Sequence, residues 1–132
     1  SKSESYNQAL LYLIADANDN NDYESIGRLL QDNKFSTDDH TLLSFYEFYR
    51  ANYYAYKGEY EKAEDSYKKA INTSENENHA NKIRINLIYL YIDKGKFDDG
   101  NEIFNDIDSE GLPYDLKNKH EEIGARLGHH TN

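Results

Sequence analysis

The chain has 132 residues, the size of one ordinary domain, and its 25 acidic and 15 basic side chains give a formal net charge of -10. This balance excludes duplex nucleic acid and anionic membrane surfaces as partners, because both are bound through Lys and Arg. No apolar run approaches the roughly 20 residues that cross a bilayer, and the absence of cysteine excludes disulfides, thiolate catalysis and Cys-based zinc sites. We expect a cytoplasmic protein, and the absence of an initial Met indicates a processed chain or part of a longer one.

Thirteen tyrosines and five phenylalanines predict a folded chain, because disordered chains are poor in aromatic residues. A buried aromatic side chain removes roughly 150–250 Å² from water, and tyrosine is the main large side chain available here. Tyrosines are densest between residues 46 and 67, where we expect the most closely packed part of the core.

The sequence repeats with a period of 37 residues. Aromatic residues recur at Tyr23, Tyr60 and Phe97, with intervals of 37 and 37. Three further columns keep this register: Ala17, Tyr54 and Tyr91; Ile26, Ala63 and Gly100; Leu30, Tyr67 and Phe104. A fixed period with several matched columns predicts a helical-repeat architecture.

Each repeat is predicted to contain two helices. In the first repeat, the three-and-four spacing of Tyr6, Leu10, Leu13, Ile14 and Ala17 predicts an amphipathic helix, and a second helix opens at Tyr23. In the second repeat, the first helix is predicted from Asp38 to Lys57 and its partner from Tyr60. In the third repeat, an apolar stripe before Gly95 predicts the first helix, and the second helix is predicted to begin at Phe97.

The turn inside each repeat is predicted from one column, which holds Asn21, Gly58 and Gly95. Glycine tolerates best the left-handed conformation that ends many helices, and asparagine is the next most tolerant residue. After the third repeat, Pro113 suits the first turn of a further helix over residues 113–128. We expect this helix to cover the end of the stack.

The segment Tyr54…Gly58-Glu59-Tyr60…Ala63…Tyr67…Ala70 resembles the tetratricopeptide repeat. The resemblance is weaker in the third repeat and weakest in the first, and the period is three residues longer than the 34 usual in that family. It implies an all-α fold, a right-handed superhelical stack of three antiparallel helix pairs (about 3–35, 37–73 and 76–110) plus the C-terminal capping helix, in one domain over residues 1–132. Lengthened repeats of this kind are similar to those in peptide-pheromone receptors of Gram-positive bacteria.

No enzymatic motif is present: the sequence lacks a glycine-rich phosphate loop, a Gly-x-Ser-x-Gly elbow and a His-Glu-x-x-His pair. The Asn/Asp cluster that begins at Asp16 resembles a calcium loop, but Asn21 and Gly27 occupy the positions that require Gly and Glu. A helix-to-helix turn explains this cluster better. We predict no catalytic residue, no metal site and no cofactor.

In tetratricopeptide stacks the first helix of each pair lines a concave surface, so the resemblance implies a protein- or peptide-binding groove. Side chains mapped to it are mostly apolar, with amides that suit ligand backbone groups. The predicted partner-binding residues are Leu11, Phe45, Phe48, Asn52, Tyr56, Lys82, Ile85 and Tyr89.

Three alternatives stay open at this point. Phe48 and Tyr56 are also explained as core between neighbouring repeats. The same face would equally serve a second copy of this chain, as a homodimer or self-associating structural module. The chain would also suit a ligand-sensing or regulatory segment of a larger protein, such as a peptide-pheromone-responsive transcriptional regulator.

Overall fold

The structure is a computed structural model that describes residues 2–129. Within this range the chain is all α-helical, as predicted, with no strand. The helices are α1 (Lys2–Asp19), α2 (Tyr23–Asp32), α3 (His40–Tyr56), α4 (Tyr60–Thr73), α5 (Glu77–Asp93), α6 (Phe97–Phe104) and α7 (Tyr114–Arg126). They divide into two compact units, residues 1–75 with α1–α4 and residues 76–132 with α5–α7. The assignment of three repeats and one domain stays a prediction.

The predicted turns are confirmed. The second helices begin at Tyr23, Tyr60 and Phe97, and the backbone φ angles of Asn21, Gly58 and Gly95 are 55°, 77° and 72°. In all three turns the backbone N–H just before the opening aromatic donates to the carbonyl of the Ala17, Tyr54 and Tyr91 column, at 2.8, 2.9 and 2.8 Å. The repeated columns therefore encode one helix-ending turn with the same hydrogen bond in each copy.

In unit 1, α1, α2 and α3 share an apolar core. Leu10, Ile14 and Ala17 of α1 pack with Ile26 of α2, and aromatic rings of α3, including Tyr49, lie against this cluster. Ile26 is fully buried, so the first repeat accommodates a large residue in the column where the others have Ala63 and Gly100.

Hydrogen bonds satisfy buried polar groups in the same unit. The Ser44 hydroxyl of α3 donates to the Ala70 carbonyl of α4 at 2.7 Å, which joins the two helices of that pair inside the core. The Asn7 amide of α1 donates to the Ser36 carbonyl at 2.8 Å, which fixes the segment between α2 and α3 on α1. Because an unpaired buried polar group costs roughly 1–3 kcal/mol, these bonds constrain how the helices pack.

The predicted buried face of α1 is partly wrong. Leu10, Ile14 and Ala17 are buried as expected, but Tyr6 is 47 % and Leu13 54 % exposed. The run Leu10–Ile14 contains five consecutive apolar residues, which project around the whole helix. The other helices of unit 1 cover only one side of α1, so part of this run stays accessible.

In unit 2, α5, α6 and α7 enclose a second apolar core. Ile85, Ile88 and Ile92 of α5 pack with Leu116 and Ile123 of α7, and further apolar residues of the α6–α7 connection join them. The helix predicted over residues 113–128 is therefore present as α7 and is an integral part of this core.

Gly100, in the column that holds Ile26 and Ala63, lies where helices of unit 2 pack closely. A Cβ added there would lie 2.9 Å from Leu127 Cδ2, just after α7, and in ordinary contact with Tyr91 Cβ of α5 at 3.7 Å. Ala63 is fully buried. Gly27 of α2 lies close to α3 of the second repeat, because a Cβ on Gly27 would lie 2.8 Å from Cε1 of Tyr53.

Candidate functional site

The eight predicted binding residues differ widely in accessibility. Leu11, Phe48 and Ile85 are buried, at 9 %, 2 % and 1 % exposure. Phe45, Asn52 and Tyr89 are half-buried, and Tyr56 and Lys82 are exposed. A ligand can contact only these last five without rearrangement of a core, so the buried three are not accessible binding residues in this conformation.

Aromatic packing on α3 explains why Phe48 is inaccessible. Its ring lies against Tyr49 and Tyr67, with centroids 5.5 and 6.4 Å apart. The Phe45 ring, one turn earlier, contacts Tyr49 at 6.3 Å and keeps part of its surface accessible. Most of the aromatic side chains predicted to contact a ligand therefore pack α3 against its neighbours in unit 1.

Tyr56 is the accessible end of that face. It is 56 % exposed, and its ring stacks on Tyr23 at the start of α2, with centroids 4.6 Å apart and planes 15° apart. Stacking restrains the ring while leaving much of it open to solvent. A restrained, exposed aromatic pair suits protein recognition because little side-chain entropy remains to be lost on binding.

Asn52 connects three helices. Its Nδ2 donates to Asn18 Oδ1 of α1 at 3.0 Å, and its Oδ1 accepts from the hydroxyl of Tyr67 of α4 at 2.5 Å. Both ends of the amide are thus used within unit 1. The Asn52 amide therefore makes structural contacts within unit 1, and its predicted ligand contact stays a prediction.

In unit 2, Tyr89 belongs to a small polar cluster with α7. Its hydroxyl donates to Glu122 Oε2 at 3.1 Å, and the guanidinium carbon of Arg126 lies 6.0 Å from the ring centroid. Partial burial and the hydrogen bond to Glu122 raise the pKa of Tyr89 above its ordinary value. The hydrogen bond orients the Tyr89 hydroxyl towards α7.

The sequence interpretation missed a groove between α1 and α2 of about 450 Å³, a volume in the range of ligand pockets. Apolar residues of both helices form part of its lining, and acidic residues and amides form the rest. It is lined by Leu13, Asp16, Ala17, Asn20, Asp22, Ser25, Arg28, Leu29, Asp32 and Asn33. The consecutive apolar residues of α1 were the available signal, since one-sided packing cannot bury all of them.

The charged side chains that line this groove differ in whether they are hydrogen-bonded. Asp22 caps α2, where it accepts from the Ser25 amide at 3.2 Å and the Ser25 hydroxyl at 2.6 Å, and these bonds lower its pKa. Arg28 donates to the Ser25 hydroxyl at 3.1 Å. The side chains of Asp16 and Asp32 have no hydrogen bond or ion pair with any other residue in the described range 2–129.

Two further aromatic side chains of α1 are exposed. Tyr6 donates its hydroxyl to Asn33 Oδ1 at 2.5 Å and lines a second depression of about 350 Å³ with Asn7 and Lys34. Tyr12 is 75 % exposed. The exposed surface of α1 therefore includes aromatic and aliphatic side chains and the carboxylate of Asp16, which is unpaired within residues 2–129.

The described part of the chain contains no group of three or more His, Asp or Glu placed to hold a metal ion. None of its helices combines the length and the apolar character that a membrane span requires. The accessible features described above are suited to noncovalent contact with another molecule.

These features define a helical-repeat protein, built from helix pairs with identical turns and offering exposed aromatic and acidic surfaces. The tetratricopeptide repeat family model matches residues 3–109, and the chain belongs to that family. No curated protein and no solved structure matches it. Repeats of this family generally mediate protein–protein interaction and form non-catalytic scaffolds.

Proposed function

We propose that this chain is a non-enzymatic, cytoplasmic module that binds a protein or peptide through the accessible aromatic residues of its first helices. The observation that carries the proposal is the stacked pair of Tyr56 and Tyr23, in which Tyr56 remains 56 % exposed. Phe45 on α3 and, in unit 2, Tyr89 and Lys82 on α5 are the other accessible members of the predicted set. Tyrosine is enriched at protein interfaces because one ring gives a large contact area and a polar end.

The half-buried state of Phe45 and Tyr89 fits this mode of binding. Each has part of its ring held by neighbours, Tyr49 for Phe45 and Glu122 for Tyr89. Preorganised side chains lose less conformational entropy when a partner docks. Within each unit, a peptide would pack on the exposed part of the ring without entering that unit's core.

A tagged pull-down from native lysate tests the proposal, with the wild type compared with Tyr56→Glu. Tyr114→Glu is the matched control, because Tyr114 is 82 % exposed and lies outside the predicted surface. Helical circular dichroism must be equal for all three proteins. A partner retained by the wild type and by Tyr114→Glu, but lost by Tyr56→Glu, would support the proposal; retention by all three would contradict it.

The same proteins distinguish the alternatives. Sedimentation across a range of protein concentrations would show a dimer that Tyr56→Glu dissociates if the partner is a second copy. If the surface belongs to a regulatory segment of a larger protein, a fragment of that protein would be captured and would compete with external peptides. Either result would replace an independent scaffold as the function.

A further inference from the structure

The groove between α1 and α2 is a second candidate surface, separate from the aromatic residues of α3 and α5. Its apolar part comes from Leu13, which is 54 % exposed, and the half-buried Leu29. Its acidic part comes from Asp16 and Asp32, whose carboxylates have no hydrogen-bonding or ion-pairing partner among residues 2–129. We propose that this groove docks a basic segment of a partner protein, with Lys or Arg paired to Asp16 and Asp32 and one apolar side chain packed on Leu13 and Leu29.

Charge selects this occupant over a second copy of the chain. The formal net charge is -10, so two copies carry net charge of the same sign and repel each other at a distance. A segment rich in Lys and Arg is attracted at a distance and fixed in register by the two carboxylates. The groove is lined by three carboxylates, Asp16, Asp22 and Asp32, and one guanidinium, Arg28, so its charge favours a basic partner.

A metal ion does not account for the acidic side chains. No group of three or more His, Asp or Glu in the described range is placed to hold one. Asp22, the third carboxylate of the groove, is already bonded to the Ser25 amide and hydroxyl. Asp16 and Asp32 are thus left to bind separate cationic groups.

The apolar contribution makes the groove more than an acidic patch. A volume of about 450 Å³ accommodates a large aliphatic or aromatic side chain. Leu13 loses exposed apolar surface when such a side chain docks, and this burial favours binding. We therefore expect selectivity for basic segments that carry an apolar residue over purely basic ones.

Selection from a displayed library of random 12-residue peptides on the wild-type protein tests this proposal. Peptides enriched in Lys or Arg around a leucine or aromatic residue are expected, and one selected peptide is then labelled with fluorescein for anisotropy titration. The Asp16→Asn/Asp32→Asn protein is expected to bind it about fivefold to tenfold more weakly, the effect of losing two exposed ion pairs. Leu13→Ser should weaken binding as well, and added salt should weaken wild-type binding.

A matched control separates the groove from the overall charge. Glu61→Gln/Asp65→Asn removes the same two charges from exposed positions on α4 of the same unit. Less than a twofold change in this control would support the proposal. Equal weakening in both double variants, or selected peptides without basic residues, would overturn it.

Backbone amide shifts give a readout independent of affinity. Addition of the selected peptide should shift the signals of Leu13, Ala17 and Leu29, and shifts confined to other helices would refute docking in the groove. Tyr56→Glu should bind this peptide as the wild type does. The experiments therefore distinguish failure of the proposed binding at the aromatic residues from failure of the proposed docking in the α1–α2 groove.

Discussion

Replacement of Asn52 by alanine tests whether this amide connects helices or is reserved for a ligand. Asn52→Ala removes the 3.0 Å bond to Asn18 and the 2.5 Å bond from the Tyr67 hydroxyl. At about 1 kcal/mol for each partly buried bond, the expected loss is about 2 kcal/mol of unfolding free energy. Tyr67 is 3 % exposed, so the bond between its hydroxyl and Asn52 lies largely away from bulk water.

Urea denaturation followed by circular dichroism measures this loss. In a chain of 132 residues, about 2 kcal/mol corresponds to a decrease of roughly 6–10 °C in the thermal midpoint. Tyr67→Phe is the matched variant, because it removes one of the two bonds and keeps the ring; about half the loss is expected. A midpoint for Asn52→Ala equal to that of the wild type would refute the reasoning and make the amide a candidate ligand contact again.

Three further predictions concern stability. Ala63→Leu should cost about 1–3 kcal/mol through overpacking, because Ala63 is fully buried; an unchanged urea midpoint would mean that this is not a close helix crossing. Gly27→Ala should cost about 1 kcal/mol, because a Cβ 2.8 Å from Tyr53 Cε1 must displace that ring, and we expect this steric cost to exceed the gain in helix propensity. Stabilisation in the same assay would show that the ring moves freely. Burial, with a smaller effect of the nearby Lys82, lowers the pKa of His79 from 6.5 to about 4. Between pH 4 and 6.5 the unfolded chain therefore binds more protons than the folded chain. The free energy of unfolding should fall as the pH decreases from 6.5 to 4. His79→Gln should flatten this dependence, and thermal midpoints that decline equally in both proteins would exclude His79 as the cause.

The sequence predicted turns more accurately than helix ends. Asn21, Gly58 and Gly95 are identifiable because a left-handed residue is required there and few residue types tolerate it. The first helix of the second pair was predicted over residues 38–57 and extends from His40 to Tyr56, because Asp39 forms the cap that accepts from the Leu42 amide at 3.1 Å. Asp38 and Asp39 are adjacent capping candidates, and sequence alone does not distinguish them.

The candidate site was less predictable because periodicity identifies a helix face but not what covers that face. Leu11 and Leu13 are equally apolar and two residues apart, yet Leu11 is 9 % and Leu13 54 % exposed. Their difference depends on where the neighbouring helices of unit 1 pack, which the spacing within α1 does not encode. The prediction therefore placed Leu11 on a binding surface and Leu13 in the core, the reverse of their observed exposures.

A stabilising contact and a binding contact compete for the same side chain, and α3 shows how this limits the binding surface. Phe48 is 2 % exposed, and the Asn52 amide is bonded at both ends, so neither can turn towards a ligand without destabilising unit 1. Tyr56 lies at the end of the helix, where one side of its ring stacks on Tyr23 and the rest of the side chain remains accessible. A charge introduced at Phe48 would therefore abolish binding by unfolding the protein, whereas the same charge at Tyr56 tests binding itself.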